Sequence, residues 1–199
     1  MKKNKSYIAI EGTVCAGKTT LCKSIEELIQ YVTIIPDYSD FAGGGNNLPP
    51  PFPSSLEEES EALNFFLNLE SNRFSKYDKE SSTYCFIDRS VYTLLAHCYS
   101  ISKLSSLSYF DLAKQILLSS SHAVWPSTII FLDISQETIL NRNKDKFLQG
   151  NIFIDESYNK FFKDFFLQGI ITNKPFVIDA EKSKQIVCRQ SIELLERQK

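Results

Sequence analysis

The pair Lys18-Thr19 closes the run Gly12-Thr13-Val14-Cys15-Ala16-Gly17-Lys18-Thr19, which matches Gly-x-x-x-x-Gly-Lys-Thr in full. Glycines at both ends let backbone N–H groups turn inward around phosphate oxygens. A helix starting at the last residues adds its positive N-terminal dipole. A lysine at that place reaches the outer phosphates of a nucleoside triphosphate, and the threonine hydroxyl completes a Mg²⁺ shell. The flanks suit this chemistry. The apolar run Tyr7-Ile8-Ala9-Ile10 precedes the motif, and Leu21, Ile25 and Leu28 at helical spacing follow it. Gly12, Thr13, Ala16, Gly17, Lys18, Thr19 and Thr20 are thus the expected phosphate-binding residues.

Four further carboxylates, Asp37, Asp88, Asp133 and Asp179, each follow an apolar run. If those runs are strands, the four lie at the carboxyl edge of one sheet, where ligands of open α/β folds sit. A turn or cap is the ordinary role of an Asp at a strand end, so each is weighed separately. Asp88 is followed by Arg89 in "FIDRSVYT", placing a metal-binding acid next to a cation that can face a transferring phosphoryl group. Asp37, in "PDYSDF", stands where a general base could accept an acceptor hydroxyl proton; a turn aspartate after Pro36 is the alternative. Asp133 and Asp179 read as structural. His97 and His122 show no triad or metal spacing.

These groups need elements to hold them. Apolar runs at 6–11, 32–37, 84–89, 127–133 and 175–180 read as strands buried on both faces. Helical patterns alternate with them at 19–30, 56–79, 90–103, 108–120, 136–144, 158–168 and 183–198. Ser135 and Ser157 are the expected N-caps of the two helices they precede. The segment 42–55, "AGGGNNLPPPFPSS", fits neither class and reads as a long connection.

Composition narrows the class. A net charge of −2 leaves no broad basic face for nucleic acid. Five scattered cysteines without Cys-x-x-Cys point to a reducing, cytoplasmic setting rather than disulfides or zinc. "MKKNK" precedes an apolar run too short for a signal sequence, and no run is long enough to span a membrane.

Several of these segments resemble the thymidylate kinase and deoxynucleoside kinase group of P-loop phosphotransferases. "YIAIEGTVCAGKTTL" is similar to the first strand and P-loop of either. "FFLNLESNRF" resembles the thymidylate kinase segment whose arginine lies by the substrate base, which implies Arg73 here. "FIDRSVYTLLAHCY" resembles the Asp-Arg-Tyr turn of thymidylate kinases and, in its Asp-Arg-Ser form, the Glu-Arg-Ser of deoxynucleoside kinases. "PSTIIFLDISQETILNR" resembles a strand and helix ending in a functional arginine, here Arg142, and "PFVIDAEKS" resembles the last strand. The chain departs from thymidylate kinases in two places. Val14 and Cys15 stand where an acid is usual, and no arginine follows the second strand. Pro36-Asp37 instead resembles the Pro-Glu of deoxynucleoside kinases.

The resemblance implies a single P-loop kinase domain over 1–199, of the nucleoside/nucleotide kinase type. Its fold would be three-layer α/β, a five-stranded parallel sheet flanked by helices with a small lid at about 142–157. The expected reaction is ATP- and Mg²⁺-dependent transfer of the γ-phosphoryl group to a nucleoside monophosphate or a nucleoside. Lys18, Asp37, Asp88, Arg89 and Arg142 are the expected catalytic residues. Asp37, Arg73 and Arg89 would bind the substrate, and Thr19 and Asp88 the metal. Lys144 and Lys146 are further cations of the lid, or simply a solvated charge run. Expected partners are a small-molecule substrate and a second copy of the chain, with neither nucleic acid nor membrane. Two alternatives stay open: a kinase of a non-nucleotide alcohol, and a regulatory NTPase. The latter lacks a full Asn-Lys-x-Asp, since "TNKPF" and "RNKDK" only approximate it.

Overall fold

The computed structural model describes residues 5–78, 81–143 and 151–196. Five strands form one parallel sheet in the order β2-β3-β1-β4-β5. They are β1 (Ser6–Glu11), β2 (Val32–Ile35), β3 (Tyr84–Asp88), β4 (Thr128–Asp133) and β5 (Phe176–Asp179). All five lie within the expected segments. Helices α1 (Lys18–Leu28), α2 (Tyr38–Phe41), α3 (Leu56–Tyr77), α4 (Val91–Leu104), α5 (Tyr109–Ser119), α6 (Gln136–Asn143), α7 (Glu156–Leu167) and α8 (Lys184–Glu196) connect them.

The period-2 alternation of the central strands makes the layers. Ile8, Ile10, Ile130 and Leu132 face one cluster, shared with Leu21 and Ile25 of α1, Ile139 of α6 and Val187 of α8. Ala9, Ile129 and Phe131 face the other, shared with Leu63 of α3, Leu94 of α4, Ala113 of α5 and Phe165 of α7. Each fully buried large apolar side chain contributes roughly 1.5–3 kcal/mol. A one-residue slip of β1 would exchange its two faces, so its register is tightly specified. That register puts Glu11 and the following loop at the carboxyl edge. Strands β3 and β4 flank β1, and the crevice outside their carboxyl ends is the place where a ligand fits such a sheet.

The caps explain where helices begin near this edge. Ser135 Oγ accepts from Thr138 N at 3.2 Å, the expected cap of α6. Helix α7 departs from expectation: Asp155, not Ser157, caps it, accepting from Tyr158 N at 2.8 Å. A carboxylate is the stronger acceptor and also meets the positive end of the helix, so α7 starts two residues before the serine's choice. The short helix α2 lacked any periodicity to announce it; Asp37 caps it by accepting from Ser39 N at 2.8 Å. Segment 42–55 is a connection between α2 and α3, as expected, with one turn of 3-10 helix at Gly45–Asn47. Its proline end is held by Tyr109, whose hydroxyl donates to Pro53 O at 2.7 Å. Residues 144–150, which include Lys144, Lys146 and the middle of the expected lid, lie outside the described residues. Among the described residues no helix is long and apolar enough to cross a membrane.

Candidate active site

The loop between β1 and α1 is shaped by its glycines. Gly12 has φ of +146°, and a Cβ there would stand 2.7 Å from Leu132 O of β4. Any other residue would be strained by conformation and blocked by backbone at once. Gly17, at φ +95°, turns the chain into α1. The Lys18 ammonium folds back over this loop, donating to Gly12 O at 3.0 Å and Thr13 O at 2.8 Å. Burial and the neighbouring Arg89 push its pKa down to about 8, against the pull of Asp88 and Asp37. A cation so placed gains from any anion entering the loop. Thr13 Oγ1, buried without a hydrogen-bond partner, offers that anion a further donor.

Asp88 ends β3 beside this loop. Its Oδ2 accepts from Thr19 Oγ1 at 2.6 Å, while Oδ1 is buried without a hydrogen-bond partner. Burial raises its pKa despite Lys18, and Asp37 adds to the rise. A hydroxyl and a half-satisfied carboxylate at one point fit a hard divalent cation. Mg²⁺ takes one or two protein oxygens and completes its shell with water and phosphate.

Asp37 and Arg89 meet across the edge, Arg89 Nε to Asp37 Oδ2 at 3.1 Å. The other carboxylate oxygen, Oδ1, accepts from Ser39 N at 2.8 Å and Ser39 Oγ at 2.7 Å. Burial opposes ionisation of Asp37, but Arg89 and Ser39 outweigh it and hold the carboxyl below its usual range. These groups and the loop line a cleft of about 610 Å³ that includes Ala16, Gly17, Lys18, Thr19, Thr20, Asp37 and Arg89. Arg142 lines it too, with its guanidinium donating to Cys15 O at 3.1 Å and Ala180 O at 3.0 Å. That position bridges the phosphate loop and the β5–α8 turn, where Lys182 and Lys184 also face the cleft.

Arg73 departs from its expected place. It is 0% exposed and does not line the cleft. Its guanidinium lies 3.7 Å from the centre of the Tyr38 ring and bonds Glu70, which also accepts from Tyr38 at 2.9 Å. Removing one partner of a pair this buried costs roughly 3–5 kcal/mol, because the other charge is stranded. Helical spacing put Arg73 on the apolar face of α3 correctly, one turn after Glu70, but the carbonyls that draw it inward come from other elements. Direct substrate contact by this side chain is therefore corrected to a buried role.

Sequence reasoning passed over Glu11. It is 0% exposed and accepts from Ser90 N at 2.9 Å, Ser90 Oγ at 2.6 Å and the Thr93 hydroxyl. Burial raises its pKa, against these bonds and Lys18. An acid ending a strand that is apolar from Tyr7 to Ile10 was the available signal. Ser39, two residues after Asp37, was likewise missed, although a serine at that spacing is a natural cap partner.

Comparison with known proteins fits this geometry. A search of curated proteins returns no match. Among solved structures the chain is similar to deoxyadenosine kinase from M. mycoides with products dCMP and dCDP bound (TM-score 0.65, 20% identity, 97% of this chain and 100% of that one). The same kinase with bound dCTP gives 0.67 at 18% identity, covering 96% and 99%. Thymidylate kinase from Candida albicans gives 0.72 at 18% identity, covering 98% and 92%. At such identities these likenesses establish the fold: three-layer, P-loop kinase, as expected. The family comes from the deoxynucleoside kinase model, which matches residues 8–194. The phosphate loop, the acid beside it and the acid–arginine pair across the cleft thus belong to a phosphotransferase of nucleosides or nucleotides, and the chain is a member of the deoxynucleoside kinase family.

Proposed function

We propose that this enzyme transfers the γ-phosphoryl group of ATP, with Mg²⁺, to a hydroxyl of a deoxynucleoside rather than to a nucleoside monophosphate. The observation that carries this reading is the charge of the acceptor end of the cleft. Asp37 and Asp40 both line it, and Arg89, the cation that meets Asp37, is already paired with that carboxylate. A monophosphate would bring about two negative charges toward two carboxylates without a dedicated counter-cation. A neutral hydroxyl needs none and finds an acceptor in Asp37.

Each residue then has a task. Backbone N–H groups of the Gly12–Thr19 loop and the start of α1 hold the triphosphate, and Lys18 exchanges its carbonyl partners for phosphate oxygens. Bound Mg²⁺, held by Thr19 and Asp88, would supply neutralisation of the phosphate oxygens. Asp37 accepts a hydrogen bond from the acceptor hydroxyl and fixes it in line. The acceptor oxygen forms its bond to phosphorus as the bond to the ADP oxygen breaks with its electron pair. The hydroxyl proton passes to Asp37. A carboxylate held below its usual pKa is a weak base, so this transfer comes late, once the attacking oxygen has become acidic. Arg89 faces the charge on the transferring group, and Arg142 with Lys182 and Lys184 walls the donor nucleotide. The chain between Arg142 and α7 is proposed to close over the donor, excluding water.

The test is turnover of the purified protein with ATP and Mg²⁺ across deoxynucleosides and deoxynucleoside monophosphates. Deoxynucleosides are expected to be phosphorylated and monophosphates to be poor acceptors; the reverse order defeats the proposal. Asp37→Asn should lower kcat by roughly 10²-fold or more with ATP binding intact.

A further inference from the structure

The Asp88-Arg89-Ser90 turn carries both the metal acid and the arginine of the cleft, and its centre is strained. Arg89 has φ of +63°, the left-handed region that L side chains avoid. Something must hold it there, and two buried charges do. Glu11 takes the N–H side of the turn through Ser90 N and Ser90 Oγ. Arg73 takes the carbonyl side: Nη2 donates to Arg89 O at 2.7 Å and Nη1 to Asp88 O at 3.4 Å. Nη1 also donates to Pro36 O at 2.8 Å, the carbonyl immediately before Asp37. Nε donates to Glu70 Oε2 at 2.7 Å, and Nη2 stands 2.5 Å from the same oxygen in the ion pair. Oxygens of four residues thereby surround the guanidinium.

We propose that Arg73 is a positioning residue for phosphoryl transfer: by binding the carbonyls beside both Asp37 and Arg89 it sets the spacing of that pair, with Glu11 bracing the same turn from its N–H side. The inference rests on the reading of Asp37 and Arg89 as the groups that meet the acceptor hydroxyl and the transferring phosphoryl. One planar fork reaches three carbonyls on two separate segments, the β2–α2 junction and the β3–α4 turn. A lysine, with a single ammonium, cannot span them while keeping Glu70. Tyr38 lies over the guanidinium, and both side chains are buried.

The experiment is a double-mutant cycle of Arg73→Lys and Arg89→Ala, with kcat, acceptor KM, ATP affinity and thermal unfolding measured for each protein. Displacement of the pair by about 1 Å should lower kcat roughly 10²-fold, equally for every accepted nucleoside, with ATP affinity within about twofold. In the Arg89→Ala background, Arg73→Lys should add less than about threefold, because the spacing it sets has lost one of its two members. An unchanged kcat in folded Arg73→Lys protein overturns the inference. So does a change confined to the KM of particular acceptors, which would mean direct contact, or losses that multiply across the cycle. If Arg73→Lys does not fold, Glu70→Gln loosens the same fork; a roughly tenfold fall in kcat supports the inference and none defeats it. Arg89→Ala as active as wild type overturns the underlying reading and the inference with it. An inactive Arg89→Ala with multiplying losses overturns the inference alone.

Discussion

The two ends of the cleft are built in different ways. The phosphate grip of the donor end is one continuous stretch, Gly12 to Thr19, whose binding groups are mostly its own backbone, with Asp88 joining it through Thr19. The acceptor end has no such stretch. Its Asp37–Arg89 pair joins two segments that are 52 positions apart in the chain (89 − 37). It is held by Arg73 and Glu70 of α3, Tyr38 of α2 and Glu11 of β1. A backbone cradle can be damaged only by residues within it. A pair suspended on a buried charge network can be damaged from several elements, without loss of nucleotide binding.

Three substitutions sharpen this contrast. The largest effect is expected at the donor end. Lys18→Ala should lower kcat by roughly 10³-fold or more and also weaken ATP binding, since the lysine charge faces both the ground state and the transition state. Steady-state kinetics and direct ATP binding check this. A kcat loss with unaltered ATP affinity would make the donor end behave like the acceptor end.

An intermediate effect concerns stability behind the acceptor end, where His97 of α4 meets Tyr158 of α7, Nδ1 to hydroxyl at 2.8 Å. Burial, reinforced by Arg89 and only partly offset by a backbone bond, holds this imidazole down to about 4. The unfolded imidazole titrates near 6.5. Between those values the unfolded chain binds a proton that the native state refuses, so stability falls as pH falls. At and below pH 4 the loss attributable to His97 is at most about 3 kcal/mol, and above 6.5 it vanishes. Thermal unfolding of wild type and His97→Asn from pH 7.5 to 4 should show a shallower acid decline in the variant. Parallel curves would mean that His97 is not the group responsible.

The smallest effect belongs to Ser39. Its hydroxyl helps hold Asp37 ionised, so Ser39→Ala should raise the Asp37 pKa toward its ordinary value. The acid limb of kcat/KM then moves to higher pH, while kcat at neutral pH changes only by about a few fold. An unmoved acid limb would detach that limb from Asp37.

The donor end was legible because its information is local. The glycines, Lys18 and Thr19 sit in one motif, and the alternation of Ile8, Ala9 and Ile10 fixed the face each neighbour buries. Asp88-Arg89 was legible for the same reason, as an acid and a base at the end of an apolar run. Arg73 was half legible. Helical spacing set it on the inward face of α3, but whether it met a ligand or Glu70 depended on carbonyls from residues 36, 88 and 89. Ser157 and Asp155 are both competent caps of α7, and the carboxylate, which also meets the positive end of the helix, is the one that holds it.

The amino-acid sequence by itself determined the parallel α/β sheet, the phosphate loop at its carboxyl edge and the presence of Asp37, Asp88 and Arg89 there. Strand periodicity and turn chemistry act over a few residues, and those can be read directly. Only the tertiary structure decided that Arg73 points into protein, that Glu11 and Arg73 hold opposite sides of one strained turn, and that Asp37 is paired. Those outcomes depend on which buried charges and carbonyls meet across three layers. Desolvation makes such meetings nearly compulsory, and no local pattern records them.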